Sequence, residues 1–170
     1  MLQAVLLNPG LSVMEVARQF DINVAVASKY LRELNARGLL QVTRKAAEVR
    51  YWPKADSSVS QAFALLDALS ATFRTQKSPV DFIFRKATGF THPRRILIVR
   101  QLACQPAPFS EIRVRTGIST TALKRHLHKL MNRGFVRCGP PDGVYAVITS
   151  GSQLEKTLLK LVGEKETVRR

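Results

Sequence analysis

Cysteine, acidic residues and long apolar segments are scarce in this sequence of 170 residues. Its two cysteines, Cys104 and Cys138, cannot form a disulfide framework or a four-cysteine zinc site. The sequence has neither a run of 18 apolar residues nor a signal-peptide pattern, so it predicts neither a membrane-spanning helix nor export. We therefore expect no membrane partner and a cytoplasmic, nucleoid-associated location.

The sequence also lacks the motifs of catalysis. It contains 12 acidic residues and three histidines, without a paired-carboxylate motif, a glycine-rich phosphate loop or a nucleophile motif. His126 and His128 are two residues apart on a predicted helix and point in different directions, which disfavours a metal site. We predict that the protein is not an enzyme and holds no cofactor or metal.

Basic residues, by contrast, are abundant. Lysine and arginine number 27 against 12 acidic residues, which gives a net charge of +15. A charge of this size favours a polyanion as partner, most simply a nucleic acid, with an anionic membrane surface as the competing choice. Residues 1–56 hold 8 basic and 5 acidic residues, a net of +3, whereas residues 91–149 hold 10 and 2, a net of +8. We expect the second half to bind a polyanion more tightly.

One nineteen-residue pattern occurs twice. The stretch "INVAVASKYLRELNARGLL" begins at Ile22, and "ISTTALKRHLHKLMNRGFV" begins at Ile118, an offset of 118 − 22 = 96. Identical residues recur at this offset and at spacings typical of a core. These pairs are Leu6 with Leu102, Glu15 with Glu111, Ile22 with Ile118, Leu31 with Leu127, Leu34 with Leu130, Arg37 with Arg133, and Gly38 with Gly134.

The second copy predicts three helices and a hairpin. Thr91 is the expected N-cap of a first helix with Pro93 in its first turn, and Ile96, Val99 and Leu102 share one face. A short helix with Ser110 as its cap ends at Gly117. A longer helix follows, with Ser119 as cap, Leu123, Leu127 and Leu130 as its apolar stripe, and Gly134 as its end. Two strands then meet at a turn over Pro141, Asp142 and Gly143, and Cys138 is expected to be a buried strand residue.

The first copy predicts the same order. Asn23 caps its long helix, whose stripe is Ala27, Leu31 and Leu34, and Gly38 ends it. A hairpin with "RKAA" at its tip follows. Each copy then adds a helix: one has Phe63, Leu66, Leu69 and Phe73 on one face, and the other opens with Ser152 and Glu155 as a capping box. Between the copies, Ser78, Pro79 and Gly89 delimit a connecting helix.

The fold class is therefore mainly α with small β-hairpin wings (α+β): a tandem winged helix-turn-helix arising from pseudo-dimeric duplication. The expected domains are 1–76, a connecting segment 77–90, and 91–170. The segments "THPRRILIVRQL", "SEIRVRTGISTTALKRHLHKLMNRGFV" and "VMEVARQFDINVAVASKYLRELNARGLL" resemble ArsR-type and related MarR-type bacterial regulators. That resemblance implies a DNA-binding transcriptional regulator. It also implies dimerisation through the first and final helices, so that this chain would carry two fused protomers, and a homodimer through the terminal helices is a further expectation.

An α-helix fits the major groove of B-DNA, and the buried stripe fixes which side chains of each long helix (about 24–36 and 120–132) face outward. Arg94 and Arg95 are expected to be solvated or to contact phosphate. Ala25 could meet a thymine methyl group. The candidate residues for binding double-stranded DNA are Thr120, Thr121, Lys124, Arg125 and His128 in copy two, Ala25, Ser28, Lys29 and Arg32 in copy one, Arg44 and Lys45 in the first wing, and Arg137 in the second.

Unequal charge and unlike outward residues predict unequal half-sites, with copy two as the stronger reader. Two alternatives stay open. Tandem winged helices also serve as protein-interaction or chromosome-architecture subunits, and a basic surface does not by itself distinguish DNA from duplex RNA. The sequence names no effector ligand.

Overall fold

The computed structural model describes residues 1–45, 48–140 and 143–163. The chain forms two compact units, here called unit one (Met1–Thr75) and unit two (from Gln76 onward). Each has its own apolar core and its own small antiparallel sheet. The predicted combination of helices with small β-hairpins is confirmed at this level.

Unit one has a sheet and a group of helices packed on it. Its strands lie in the order β1-β3-β2, all antiparallel, with Tyr51 opposite both Leu11 and Val42. The strand β1 was not predicted, because two residues are too short for a periodic signal. The elements are α1 (Leu2–Leu7), β1 (Leu11–Ser12), α2 (Val13–Gln19), α3 (Val24–Ala36), β2 (Gln41–Lys45), β3 (Glu48–Trp52) and α4 (Ala62–Thr75).

The core of unit one uses the predicted stripe of α3. Ala27 and Leu31 have no exposed surface, and Leu34 packs at the edge of the same cluster. Of the four α4 residues that the sequence placed on one face, Leu66 and Leu69 are buried, whereas Phe63 is 78% exposed. Ala62 occupies the buried position in that first turn instead, close to the backbone of Gly38.

Unit two repeats the sheet arrangement with the order β4-β6-β5. Tyr145 lies opposite both Ala107 and Cys138, so the predicted hairpin pairs with a third strand that the sequence did not reveal. The elements are α5 (Pro79–Ala87), a 3-10 turn (Thr88–Phe90), α6 (Pro93–Cys104), β4 (Ala107–Pro108), α7 (Phe109–Thr116), α8 (Thr120–Asn132), β5 (Val136–Gly139), β6 (Val144–Val147) and α9 (Gln153–Gly163).

The core of unit two gathers side chains from most of these elements. Leu123, Leu127 and Leu130, the predicted stripe of α8, are buried against Phe135. Further core residues are Ile98, Val99, Leu102, Ala107, Ile112, Ile118, Ala122, Val136 and Val162. This packing turns one side of α8 inward and leaves the opposite side to solvent.

Helix caps are partly as predicted. The Asn23 side chain accepts a hydrogen bond from the Ala25 N–H at 2.7 Å, and Ser152 with Glu155 forms the expected capping box.

The prediction of Thr91 as a cap is wrong, because His92 is the N-cap of α6 and its Nδ1 accepts from the Arg94 N–H. The prediction of Ser110 is also wrong, because α7 begins one residue earlier, at Phe109, after Pro108.

The helix α5 begins at Pro79 as predicted, and it is anchored within unit two. Lys86 is buried: its Nζ donates to the Arg133 carbonyl at 2.7 Å and forms an ion pair with Glu155 Oε1 at 2.5 Å. The rings of Phe82 and Phe135 lie within 6 Å of the same ammonium. The end of α8 and the start of α9 are therefore held by one side chain of α5.

The final helix packs inward. Leu154 and Val162 are buried and Leu158 packs on the core of unit two, while the Arg100 side chain donates to the Val162 carbonyl at 2.7 Å. The apolar side chains of α9 thus contribute to the core of their own unit. Dimerisation through the terminal helices stays a prediction.

Candidate nucleic-acid interface

A tight turn joins α7 to α8. Gly117 ends α7 in the left-handed conformation with φ 65°, and its N–H donates to the Arg113 carbonyl. Ile118 is buried beside it, which fixes the direction in which the chain enters α8. Ser119 is the N-cap residue as predicted, although its side chain makes no capping hydrogen bond. The two helices and the turn form a helix-turn-helix.

The outward side of α8 is polar and cationic. All five residues that the sequence placed there are exposed: Thr120, Thr121, Lys124, Arg125 and His128. The His128 ring lies 3.0 Å from the Asn132 amide, which orients the imidazole along the helix. The two threonines stand in the first turn, where backbone N–H groups without helical partners also point outward and favour anions. This face can bond both phosphates and base edges.

The corresponding side of α3 is less polar. Ala25, Lys29 and Arg32 are exposed, and Ser28 is half-buried. Arg32 Nε donates to the Ser28 carbonyl at 3.3 Å, so its guanidinium lies back along its own helix. The sequence did not single out Val24, which is 50% exposed at the first position of α3. From sequence alone a valine at a helix end is expected to be a core residue, and only the packing of α3 shows that Val24 is exposed.

The wing residues lie in strands. Arg44 is exposed and pairs with Val49 in the β2–β3 ladder, and the Lys45 backbone pairs with Glu48. The prediction that they form the tip is wrong, because both belong to β2; the rest of the predicted tip, Ala46 and Ala47, lies outside the described residues. Arg137 is exposed near the start of β5, opposite Ala146. The predicted turn residues Pro141 and Asp142 also lie outside the described residues.

Arg95 serves the fold and does not face solvent or phosphate as predicted. It is 6% exposed, and its guanidinium donates to the carbonyls of Gly89 and Thr88 and to the Thr91 hydroxyl. Burial, followed by the charge of Arg133, lowers the pKa of this guanidinium. Its role is to hold the segment before α6 against the helix. Arg94 is exposed at the same helix end.

Two histidine rings pack against each other at a tilted angle in unit two. His126 is 3% exposed, and its ring centroid is 4.5 Å from that of His92. Both ring nitrogens of His126 lack a hydrogen-bond partner among the described residues. Burial lowers the pKa of His126, and the charges of His92, Arg95, Arg125 and Arg94 lower it further. The ring is therefore held neutral beside a cationic helix face.

No group of three or more histidine, cysteine, aspartate or glutamate side chains that could hold a metal ion occurs in residues 1–45, 48–140 and 143–163. Cys104 and Cys138 are free thiols, and both are exposed. The prediction that Cys138 is buried is wrong: along β5 Val136 is buried, whereas the next two residues, Arg137 and Cys138, are both exposed. Within the same described ranges, no helix is long and apolar enough to cross a membrane.

A short helix, a tight turn, a second helix with an exposed basic side and a β-hairpin are the parts of a winged helix-turn-helix protein. Residues 92–137, from the start of α6 into β5, match the model of a family described as bacterial regulatory protein, arsR family. This family is a regulatory DNA-binding family and not an enzyme family, so the match supports a DNA-binding transcription regulator. A comparison with curated proteins gives no match.

Proposed function

We propose that the protein is a transcriptional regulator that binds double-stranded DNA sequence-specifically and carries two winged-helix modules. Unit two is the stronger reader and inserts α8 into the major groove. Unit one is the weaker reader and presents α3. The observation that carries the proposal is the exposed cationic side of α8, directly after the turn at Gly117, within the segment that matches the family.

The strand registers support a duplication. Tyr51 lies opposite Leu11 and Val42, and Tyr145 lies opposite Ala107 and Cys138. The partners keep the offset of 96, since 107 − 11 and 138 − 42 both equal 96. The two tyrosines differ by 94, so the second hairpin is two residues shorter. Equivalent pairing in both sheets is expected if unit one is a diverged copy of unit two.

Charge supports the ranking of the two units. Lys124 and Arg125 are adjacent exposed cations in the first half of α8. At the same offset α3 has Ser28, half-buried, and Lys29. Phosphate contacts supply a large share of affinity for duplex DNA. Unit two should therefore dominate the binding energy, and the preferred site should be asymmetric.

The test is selection of bound sequences from a random pool of duplex DNA with the full chain. The expected result is an enriched motif with two unlike halves, competed away by the same duplex but not by duplex RNA of matching length. Tight binding without enrichment would contradict sequence-specific regulation. Equal competition by duplex RNA would contradict recognition of B-form DNA.

A matched pair of variants assigns the motif to the helices. Lys124→Ala should weaken one half of the motif by about 1–3 kcal/mol of binding free energy if the lysine contacts a base, and should weaken all sequences alike if it contacts phosphate. Lys156→Ala removes a lysine that is also exposed, on α9, and serves as control. If the two variants weaken binding equally, α8 does not contact the DNA.

A further inference from the structure

The amino end of α3 exposes a small apolar surface, which we call the valine end and define as Val24, Ala25 and Val26. Val24 is 50% exposed and Val26 is 42% exposed. Ala25 is also exposed. These side chains lie outside the core of unit one, which α3 enters through Ala27 and Leu31. The valine end is therefore available to a partner at the helix position that contacts base edges in helix-turn-helix proteins.

The equivalent end of α8 has a different chemistry. At the offset of 96, Val24 corresponds to Thr120 and Ala25 to Thr121, both exposed. Their hydroxyls can donate to or accept from phosphates and bases. Val26 corresponds to Ala122, which is 7% exposed and belongs to the core. In this first turn, unit two presents hydroxyl groups beside methyl groups, whereas unit one presents methyl groups alone.

We propose that the valine end reads thymine methyl groups, so that the half-site of unit one is rich in A·T pairs where α3 meets it. This inference rests on the proposed function. The C5-methyl group of thymine is the apolar feature that base pairs present in the major groove. Valine and alanine side chains cannot hydrogen-bond to a base, and they gain free energy by removing apolar surface from water.

The cationic residues near the valine end are suited to binding duplex DNA. Lys29 and Arg32 lie on the next turns of α3 and are exposed, and Arg44 is exposed on β2. An anionic partner that also carries methyl groups matches both properties of the helix. Asp21, exposed in the turn before α3, opposes the phosphates. Unit one therefore depends more on apolar contact and less on charge than unit two.

The first experiment changes only the DNA. In the duplex selected by the full chain, each thymine of the half-site bound by unit one is replaced by deoxyuridine. This replacement removes the methyl group and keeps the base pair. Each methyl group that the valine end buries should cost about fourfold in affinity. The same replacement in the other half-site should have a smaller effect, because the threonines of α8 carry fewer methyl groups than the valines of α3. Because the protein is unchanged, a loss cannot come from misfolding.

The second experiment changes the protein. Val24→Thr introduces the residue found at the matched position of α8 and should reduce the preference for thymine over deoxyuridine at one base pair, because a hydroxyl group replaces one of the two methyl groups of the side chain. The slope of log affinity against log salt should not change, because no phosphate contact is lost. Val80→Thr alters a 62%-exposed valine on α5 and should preserve the preference. Unfolding temperatures verify that both variants are folded.

The outcomes separate the inference from the proposed function. If the chain binds no duplex DNA, the proposed function fails. If it binds a selected site with the same affinity for thymine and deoxyuridine in both halves, the inference is overturned and DNA binding stands. In that case the valine end would be a surface for a protein partner.

Discussion

At the scale of single residues, His126 shows how a cationic helix accommodates a buried ionisable group. Its position in unit two matches that of Tyr30 in unit one, which is 48% exposed. In unit two the ring of His92 covers the site instead. Burial and four neighbouring cationic or ionisable side chains lower the pKa of His126, so the folded state favours the neutral imidazole. Folding and proton uptake by His126 therefore oppose each other.

This opposition predicts an acid-sensitive unit two. The pKa of an unfolded histidine is about 6.5, and folding lowers it, so the unfolded state binds more protons in mildly acidic solution. The free energy of unfolding should fall as the pH drops from 7 through about 6 to 5. His126→Leu should reduce this fall, and should raise stability at pH 7 by about 1 kcal/mol because two unpaired nitrogens leave the core.

Urea unfolding at pH 5, 6, 7 and 8 measures the effect. His128→Ala is the matched control, since His128 is exposed on the same helix and should keep the dependence of the original chain. If His126→Leu shows the full acid-dependent loss, the buried imidazole is not its origin. Glu155 does not interfere in this range. Burial raises the pKa of Glu155, but hydrogen bonds from Lys86 and Ser152 lower it overall. The ionised carboxylate therefore stabilises the folded state, and this contribution to the free energy of unfolding is lost only below about pH 4.5.

The exposure of residues was easier to predict than their hydrogen bonds. The i, i+4, i+7 spacing of Leu123, Leu127 and Leu130 fixed the buried side of α8, and the candidate residues opposite were exposed as a geometric consequence. The bonds of the Arg95 guanidinium to the Thr88 and Gly89 carbonyls depend on the path of the chain at Thr88–Phe90 before α6. A 3-10 turn of three residues leaves no periodic signal, so neither contact was predictable.

At the scale of elements, the α7–α8 turn depends on Gly117. Its φ is 65°, a region that costs residues with a Cβ roughly 1 kcal/mol or more, and Asp21 takes up the matched position in unit one with φ 49°. The surrounding space is open, with no atom within 4 Å of an added Cβ. The constraint on this position is therefore conformational and not steric.

Substitution of Gly117 separates these two causes. Gly117→Ala should lower the free energy of unfolding by about 1 kcal/mol, and Gly117→Asn by less, because asparagine tolerates the left-handed conformation. Gly139→Ala is the control, since Gly139 does not have a positive φ and the nearest atom to its added Cβ is 3.9 Å away. Differential scanning calorimetry would measure all three. A larger cost for asparagine than for alanine would contradict the explanation.

Lys86 connects three elements of unit two and provides a second test at this scale. Loss of one partner from a buried ion pair costs about 3–5 kcal/mol, because the other charge stays uncompensated. Lys86→Met should therefore destabilise the unit strongly. The double variant with Glu155→Gln should be more stable than the single variant, since glutamine keeps the capping acceptor without the charge. Lys77→Met, at an exposed position before α5, should have little effect.

Chemical denaturation of the four proteins gives the comparison. A double variant less stable than Lys86→Met alone would mean that the Glu155 charge stabilises unit two by other contacts. The sequence predicted α5 and its start at Pro79, yet treated the helix as a connection. A lysine three residues before a glycine carries no sign of burial, and its partners Arg133 and Glu155 are distant in sequence.

At the scale of the whole molecule, a net charge of +15 implies that binding depends on salt. With roughly 6–10 phosphate contacts, affinity for duplex DNA should fall roughly 10³–10⁵-fold between about 50 and 200 mM salt. Replacing Lys124 and Arg125 together by alanine should reduce the slope by about 2 if each contacts one phosphate. The matched pair Lys156→Ala and Lys160→Ala on α9 should leave it unchanged. Fluorescence anisotropy titrations would show this; a flat salt response would contradict the proposed function.

The contacts of α5 within unit two determine which fragment of the chain keeps the helix-turn-helix folded. The similarity to regulators spans His92 to Arg137. A peptide with those limits would lack the Lys86 ammonium group, which donates to the Arg133 carbonyl at the end of α8, and the leucines of α9 that pack on the core of unit two. The carbonyls of Thr88 and Gly89, which bind the Arg95 guanidinium, would be missing as well. The family match marks the segment that holds the helix-turn-helix. We therefore expect a peptide from about residue 76 to 163 to fold by itself and the shorter peptide to be less stable.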